Sequence, residues 1–577
     1  MNWFFLFRRG RLQAKKQLTR GAIRIMGAEC SSLQKARAAY KPKLPKALRT
    51  DKVKIELGAP TEPATDKIEI KGLFPNTYGQ PEVKIVESDG ELSKSPLKVG
   101  VVLSGGQAPG GHNVIAGLFD ALTAANPESR LFGFLKGPRG VIKCKYTELT
   151  ADRIDGYRNT GGFDMIMSGR DRIEKPEDLA ACVTTFETLG LDGLVIVGGD
   201  DSNTNAAMLA EYLRAKGEKT VVIGVPKTID GDMKNEQIEA SFGFDTASKV
   251  YSELIGNIAR DSTSAVKYWH FIRLMGRSAS HVTLECALQT HPSIALISEE
   301  IQAKGTTLAE IVESIVDVIV KRAEAGRNYG VLLVPEGLPE FISDIKVMID
   351  EMGAILGKEE DYLHTLVDHN ERVRYLNTQF SAQSAKVYGS LPTSIQEVLL
   401  KHDAFGNVPL SQVETERLLI DLVSDKMDYL KKHEGKDFVK FSPLSHFFGY
   451  EGRCAAPSNY DADYAYSLGC AAAQLVRAGV TGYTANVQNT TKPADEWTAG
   501  GTPVTMMLNM ETRKGKRVPV IRKALVNLEG AAFKKFEAHR EEWALNDAFM
   551  FPGPIQYFGP PEVCDCPTMT LALEKGG

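Results

Sequence analysis

The chain predicts an α/β fold: two Rossmann-like, doubly wound α/β/α domains, a helical insertion and an extended N-terminal arm. Three observations carry this expectation. Short apolar runs such as Leu194-Val195-Ile196-Val197 and Val221-Val222-Ile223-Gly224-Val225 read as strands buried on both faces. Stretches of helical period alternate with them, which argues βαβ units around a parallel sheet. Several runs end in turns rich in glycine and aspartate, where an open parallel sheet places its ligand site.

Residues 1–95 carry little sustained periodicity and several prolines (Pro42, Pro45, Pro60, Pro63, Pro75), so they read as an arm with a few docked pieces. The first 50 residues hold 13 Lys/Arg and one acid, Glu29, a charge of +12. The apolar, then basic start fits an organelle transit segment. A basic tail, or a start at Met26 with a myristoylation-like Met-Gly-Ala-Glu-Cys-Ser, fits the same residues.

The first α/β domain is expected over 96–265. It opens with the strand pattern Lys98-Val99-Gly100-Val101-Val102-Leu103. The turn Ser104-Gly105-Gly106-Gln107-Ala108-Pro109-Gly110 and a helix from Val114 follow. Strand, glycine turn and helix together form a phosphate cradle, because turn N–H groups and the helix N-terminus both face an anion. The turn has neither the Gly-Lys-Ser/Thr of a P-loop nor the G-x-G-x-x-G pattern. Helices are expected over 175–189, 204–216 and 247–261.

A second α/β domain is expected over 266–340 and 438–545. Its strand 268–274 leads into Met275-Gly276-Arg277, and its strand 331–334 ends in Pro335-Glu336-Gly337. Between 341 and 437 strand signals vanish and helical spacing takes over, as in Val413-Glu414-Thr415-Glu416-Arg417-Leu418-Leu419, so this segment reads as a helical insertion. Residues 546–577 form a proline-rich C-terminal tail.

A chain of 577 residues calls for two or three domains. Hydrophobic content of 43% and a net charge of −4 describe an ordinary soluble enzyme and argue against nucleic acid or membrane as the main partner. No apolar run is long enough for a membrane span. Eight scattered cysteines without C-x-x-C favour reduced thiols and a cytoplasmic setting, with the basic N-terminus leaving organelle targeting open.

The chemistry concentrates in two turns, Gly198-Gly199-Asp200-Asp201 and Pro226-Lys227-Thr228-Ile229-Asp230-Gly231-Asp232. Four carboxylates and a lysine at consecutive strand ends suit Mg²⁺-assisted phosphoryl transfer. Asp200 is the natural Mg²⁺ anchor. If 228–232 is extended, Asp230 and Asp232 share a face with Thr228. One aspartate then serves as general base on a hydroxyl while the other orients it. His112 and His281 lack a nucleophile pattern and read as structural. Cys564 and Cys566 lack further ligands for a metal.

Gly-Gly-Asp-x-Ser, Thr-Ile-Asp-x-Asp, Met-Gly-Arg and a late Gly-x-x-x-Arg, in this order, resemble the phosphofructokinase family over about 98–340 and 438–490. Within it the chain is similar to the long, pyrophosphate-dependent type, of which the plant catalytic beta subunit is an example. The resemblance implies phosphoryl transfer from pyrophosphate to the 1-hydroxyl of fructose 6-phosphate, giving fructose 1,6-bisphosphate and phosphate, reversibly and with Mg²⁺. It makes 96–265 the phosphate-donor domain and the second domain the sugar-phosphate domain. Gly105 and Gly106 then bind the donor, Asp200 the metal, and Asp230, with Thr228 and Asp232, the attacking hydroxyl. Met275, Gly276 and Arg277, with Glu336, match the sugar-binding segments, and Tyr450 and Arg453 the grip on the 6-phosphate. Lys267 and Tyr268 fall where the family reaches into a neighbouring subunit, and Arg170 matches a transition-state arginine. The resemblance also implies a homodimer, a homotetramer, or a heterotetramer with a regulatory alpha-type subunit.

ATP-dependent members carry glycine at the positions of Asp201 and Lys227. An aspartate at 201 would crowd and repel a nucleotide's α-phosphate, while Lys227 adds a cation for a transferring phosphate. The competing readings are an ATP-dependent phosphofructokinase, a related kinase acting on NAD or lipid, and a non-catalytic regulatory subunit.

Overall fold

The computed structural model describes residues 31–89, 92–366, 368–400, 413–513 and 516–576. Residues 1–30, on which the transit-segment and Met26 expectations rest, lie outside the described residues. The chain packs as two units. One comprises residues up to Pro226 together with Ala455–Ile521; the other comprises Lys227–Cys454 with Arg522–Gly577.

In the first unit, five parallel strands form the middle of one sheet. In spatial order they are Tyr483–Gln488, Val221–Thr228, Gly193–Gly198, Lys98–Ser104 and Arg130–Phe134. Every residue of Gly193–Gly198 is buried, as its unbroken apolar run requires. Antiparallel strands extend both edges: Tyr146–Leu149 on one side, and Thr498–Pro503, Pro81–Glu87 and Val53–Pro60 on the other. The N-terminal arm therefore lends two strands to the sheet. Its start is docked as well, since buried Arg37 donates to Asn459 Oδ1 (2.8 Å) and to the Pro457 carbonyl (2.9 Å).

Helices Gly111–Ala125 and Asn459–Arg477 pack against each other with almost no space between backbones. A Cβ on Gly117 would collide with the Tyr466 carbonyl, and one on Gly469 with the backbone of Val114. This contact, together with the pairing of Tyr483–Gln488 to Val221–Thr228, draws 455–521 into the first unit. The sequence boundaries had placed 438–545 in the second domain.

The second unit holds a four-stranded parallel sheet in the order Ile294–Ala295, Tyr329–Pro335, Tyr268–Leu274, Pro443–Phe448. It begins at Lys227, earlier than the expected 266. The reason is that helix Phe244–Ala265 buries its apolar stripe against helix His281–Thr290 and strand Tyr268–Leu274. The insertion is helical as expected: Ser343–Thr365, His369–Gln379, Ala382–Ser390, Thr393–Leu399 and Thr415–Glu434. These helices share one apolar core with helix Leu308–Glu324 and the sheet, through Ile315, Ile319, Leu332, Met348, Leu419 and Val423. A buried ion pair, Arg273 Nε to Glu416 Oε2 at 2.8 Å, links strand and insertion.

Candidate active site

In the first unit the glycine turn after Ser104 and the turn at Gly198–Asp201 both sit at C-terminal strand ends. Strand Lys98–Ser104 stops at Gly105, whose φ of +83° suits glycine, and whose N–H donates to the Gly169 carbonyl (2.9 Å). Gly106 follows, and Gly110 (φ +111°) caps the helix beginning at Gly111. Arg170 is exposed directly after the short strand Ser168–Gly169, which pairs with Leu103 and Ser104 beside the glycine turn.

The neighbouring strand Gly193–Gly198 passes through Gly199 into helix Asp200–Lys216. Asp200 and Asp201 occupy its first turn, where the helix dipole favours negative charge. Buried Asn203 fixes this corner by donating to the Gly198 (2.7 Å) and Gly199 (3.0 Å) carbonyls, and its Oδ1 accepts from Thr484 Oγ1 (3.0 Å). Ser202 Oγ donates to Ser104 Oγ (2.8 Å), tying the carboxylate turn to the glycine turn. Asp201 accepts from Arg172 (2.9 Å), which also reaches Glu174 (3.1 Å).

In the second unit, Lys227 is buried at the end of strand Val221–Thr228, leaving 6% of its surface exposed. The following residues are not extended. Gly231 has φ +74° and folds the chain back, so Asp230 and Asp232 do not share a strand face. Asp230 stays half-exposed, its N–H donating to Thr228 Oγ1 (3.1 Å). Asp232 is buried and lies 4.0 Å from Lys523 Nζ, while its carbonyl accepts from Ala524 N–H (2.7 Å). A Thr-x-Asp-Gly-Asp turn thus gives its two carboxylates different environments.

Strand Tyr268–Leu274 delivers Met275, Gly276 and Arg277 to its C-terminal end. Gly276 (φ +142°) donates its N–H to Glu336 Oε2 (3.2 Å). Burial pushes the Glu336 carboxyl up, and nearby Asp230 adds to the rise. The Gly276 N–H, Arg273 and Arg277 oppose it. Gly337 touches the Arg277 backbone so closely that no side chain fits there. Arg453 Nη1 lies 3.9 Å from Met275 Sδ, with its guanidinium 5.4 Å from the Tyr450 ring centroid. Asp230, Glu336, Arg277 and Arg453 therefore gather around one strand end, with Tyr251 beneath, donating to the Gly449 carbonyl (2.6 Å).

Comparison with known proteins places the chain in a family. Residues 98–476 match the family described as PFK: Phosphofructokinase. The chain belongs to the phosphofructokinase family. It is 53% identical to the pyrophosphate–fructose 6-phosphate 1-phosphotransferase of Porphyromonas gingivalis, over 94% of this chain and 99% of that one. It is 50% identical to the beta 2 subunit of the Arabidopsis thaliana enzyme of that name (95% and 94%). It is 39% identical to the alpha 2 subunit from the same plant (95% and 89%).

Within the second unit, Lys267 and Tyr268 lie away from Met275, Gly276 and Arg277. They start the strand whose other end carries Met275, about 20 Å away at the usual rise per residue. Lys267 Nζ sits 4.7 Å from the Tyr268 ring centroid, and Val266 and Tyr268 take positive φ (53° and 76°). Arg172, Asn203 and Lys523 escaped the sequence reading. Asn203 and Arg172 flank the motif but carry no pattern of their own, and Lys523 comes from a distant segment. His112 is fully buried, accepts from Met165 N–H (3.3 Å), and is pushed down to about 4 by burial, as a structural histidine should be.

A Mg²⁺ site is testable against the donor set. Among the described residues no group of three or more His, Cys, Asp or Glu is arranged to hold a metal. One half-exposed carboxylate at a helix start, Asp200, fits a Mg²⁺ that takes its remaining ligands from phosphate oxygens and water.

Proposed function

We propose that the chain catalyses reversible transfer of a phosphoryl group from pyrophosphate to O1 of fructose 6-phosphate, giving fructose 1,6-bisphosphate and phosphate. The observation that carries the choice of donor is Asp201, an aspartate in the first helical turn after Gly199, where room for a nucleotide would need glycine. The relatives' names point the same way.

Asp230 takes the proton of the sugar 1-hydroxyl. The freed oxygen attacks the terminal phosphorus of pyrophosphate, the bridging P–O bond breaks, and orthophosphate leaves. Lys227 and Arg170 stabilise charge on the transferring and leaving phosphates. The backbone of Gly105 and Gly106 holds the donor. Arg277, Met275, Gly276 and Glu336 orient the sugar, and Tyr450 and Arg453 hold its 6-phosphate. Asp232 and Thr228 fix the Asp230 turn. Mg²⁺, when bound, would neutralise phosphate oxygens, with Asp200 as its protein ligand.

The chain acts as the catalytic rather than the regulatory type, since Asp200, Lys227 and Asp230 are all present. It works in the cytoplasm as a homodimer, a homotetramer, or with an alpha-type subunit, and Lys267 and Tyr268 serve a neighbouring copy's site. No described helix is long and apolar enough to cross a membrane.

The test is an assay of the purified chain with pyrophosphate or ATP as donor, with and without chelator. Pyrophosphate-driven, chelator-sensitive formation of fructose 1,6-bisphosphate is expected. Equal turnover with ATP would overturn the donor assignment.

A further inference from the structure

We propose that residues 568–575, at the C-terminus, are a positioning element for the Asp230 turn, so that the tail sets the turnover rate. This rests on the function proposed above.

Three anchors hold the tail. Fully buried Glu285 accepts the N–H groups of Met569 (2.8 Å) and Thr570 (2.7 Å), the first residues of helix Met569–Glu574. Lys249 Nζ donates to the Cys566 carbonyl (2.6 Å) while pairing with Asp245 (2.7 Å). Leu571 is buried, with 3% of its surface exposed. A segment held only by loose surface contacts would not employ a buried carboxylate as its cap.

The tail in turn grips the loop that follows the proposed base. Glu574 pairs with Lys234, and Lys575 with nearly buried Glu239 (2.7 Å). Thr568, Thr570 and Leu571 line a small cavity with Gly231, Phe244 and His281. At its far end the loop returns to the strand through Ser241 Oγ, which donates to the Thr228 carbonyl (3.0 Å). Residues 229–241 are thus tied to the strand by Ser241 and to the tail by Lys234 and Glu239. Gly231, the hinge between Asp230 and Asp232, lies against the wall that the tail completes. Undocking the tail removes two ion pairs from the loop that follows Asp230 and one cavity wall from beside Gly231. A displacement of about an ångström at a base is enough to cost on the order of a hundredfold in rate.

The experiment compares Lys575→Glu, the charge-swapped pair Glu239→Lys/Lys575→Glu, and a chain ending at Cys566, measuring kcat, the KM for fructose 6-phosphate and the thermal midpoint. Lys575→Glu and the shortened chain should lose kcat by about tenfold or more while the KM moves less than about threefold, and the swapped pair should recover most of the kcat. A folded Lys575→Glu enzyme with wild-type kcat would overturn the proposal. So would a swapped pair that regains its thermal midpoint but not its kcat. If the wild-type chain turned over no pyrophosphate at all, the proposed function would fail first, which separates the two failures.

Discussion

The turn after Gly193–Gly198 and the turn after Val221–Thr228 both carry a pair of aspartates, but they are held in opposite ways. Asp200 and Asp201 sit in the first turn of a 17-residue helix, and their position is set by backbone and dipole. Their corner is locked from below by Asn203, and Asp201, with 48% of its side chain exposed, faces Arg172 at the surface. Asp230 and Asp232 sit in an irregular turn hinged at Gly231 and braced by Lys523, Ala524 and Ser241. A helix start needs few partners to present a carboxylate to a metal or a phosphate. An irregular turn, proposed to aim one carboxylate at a proton, needs many, because nothing in its own backbone pattern fixes it.

The contrast ranks the expected effects of substitution. Asp230→Asn keeps the shape of the braced turn and removes the proposed base. The kcat should fall on the order of 10²- to 10⁴-fold with the thermal midpoint unchanged, in steady-state assays paired with melting curves. Wild-type turnover in that variant would remove Asp230 from its role.

Asp201→Gly should act less strongly. Pyrophosphate kcat/KM drops by about tenfold, and ATP turnover rises from background, both read in a coupled assay. An unchanged donor preference would show that crowding at 201 does not select the donor. The pairing with Arg172 bears on this point. A carboxylate that shares its charge with a guanidinium repels a phosphate less, so side-chain size carries more of the exclusion than charge. Arg172→Ala should therefore be the mildest change, altering kcat/KM for pyrophosphate by less than about fivefold, because an exposed pair contributes about 1 kcal/mol or less. A larger loss would mean that Arg172 itself holds the donor.

Much of this architecture was legible in the residues. Leu194–Val197 and Val221–Val225 declared buried parallel strands, and Gly105, Gly198 and Gly199 marked where they stop. The helical insertion announced itself by the loss of strand signals after 341. The division of the chain was not legible. Residues 455–521 return to the first unit because Gly117 and Gly469 let two helices meet backbone to backbone, and spacing within either segment does not encode that partner. The extended reading of 228–232 failed for a local reason: Gly231 takes a left-handed conformation that alternation along the sequence cannot reveal.

The sequence by itself determined the strands, the glycine turns and the positions of the four aspartates, since local periodicity and turn chemistry depend on neighbours a few residues away. Tertiary structure alone decided which aspartate is half-exposed and which buried, that Arg172 faces Asp201, and that Glu285 caps the tail whose Glu574 and Lys575 meet Lys234 and Glu239. Those choices join residues tens to hundreds of positions apart, and only packing brings them within hydrogen-bond or ion-pair reach.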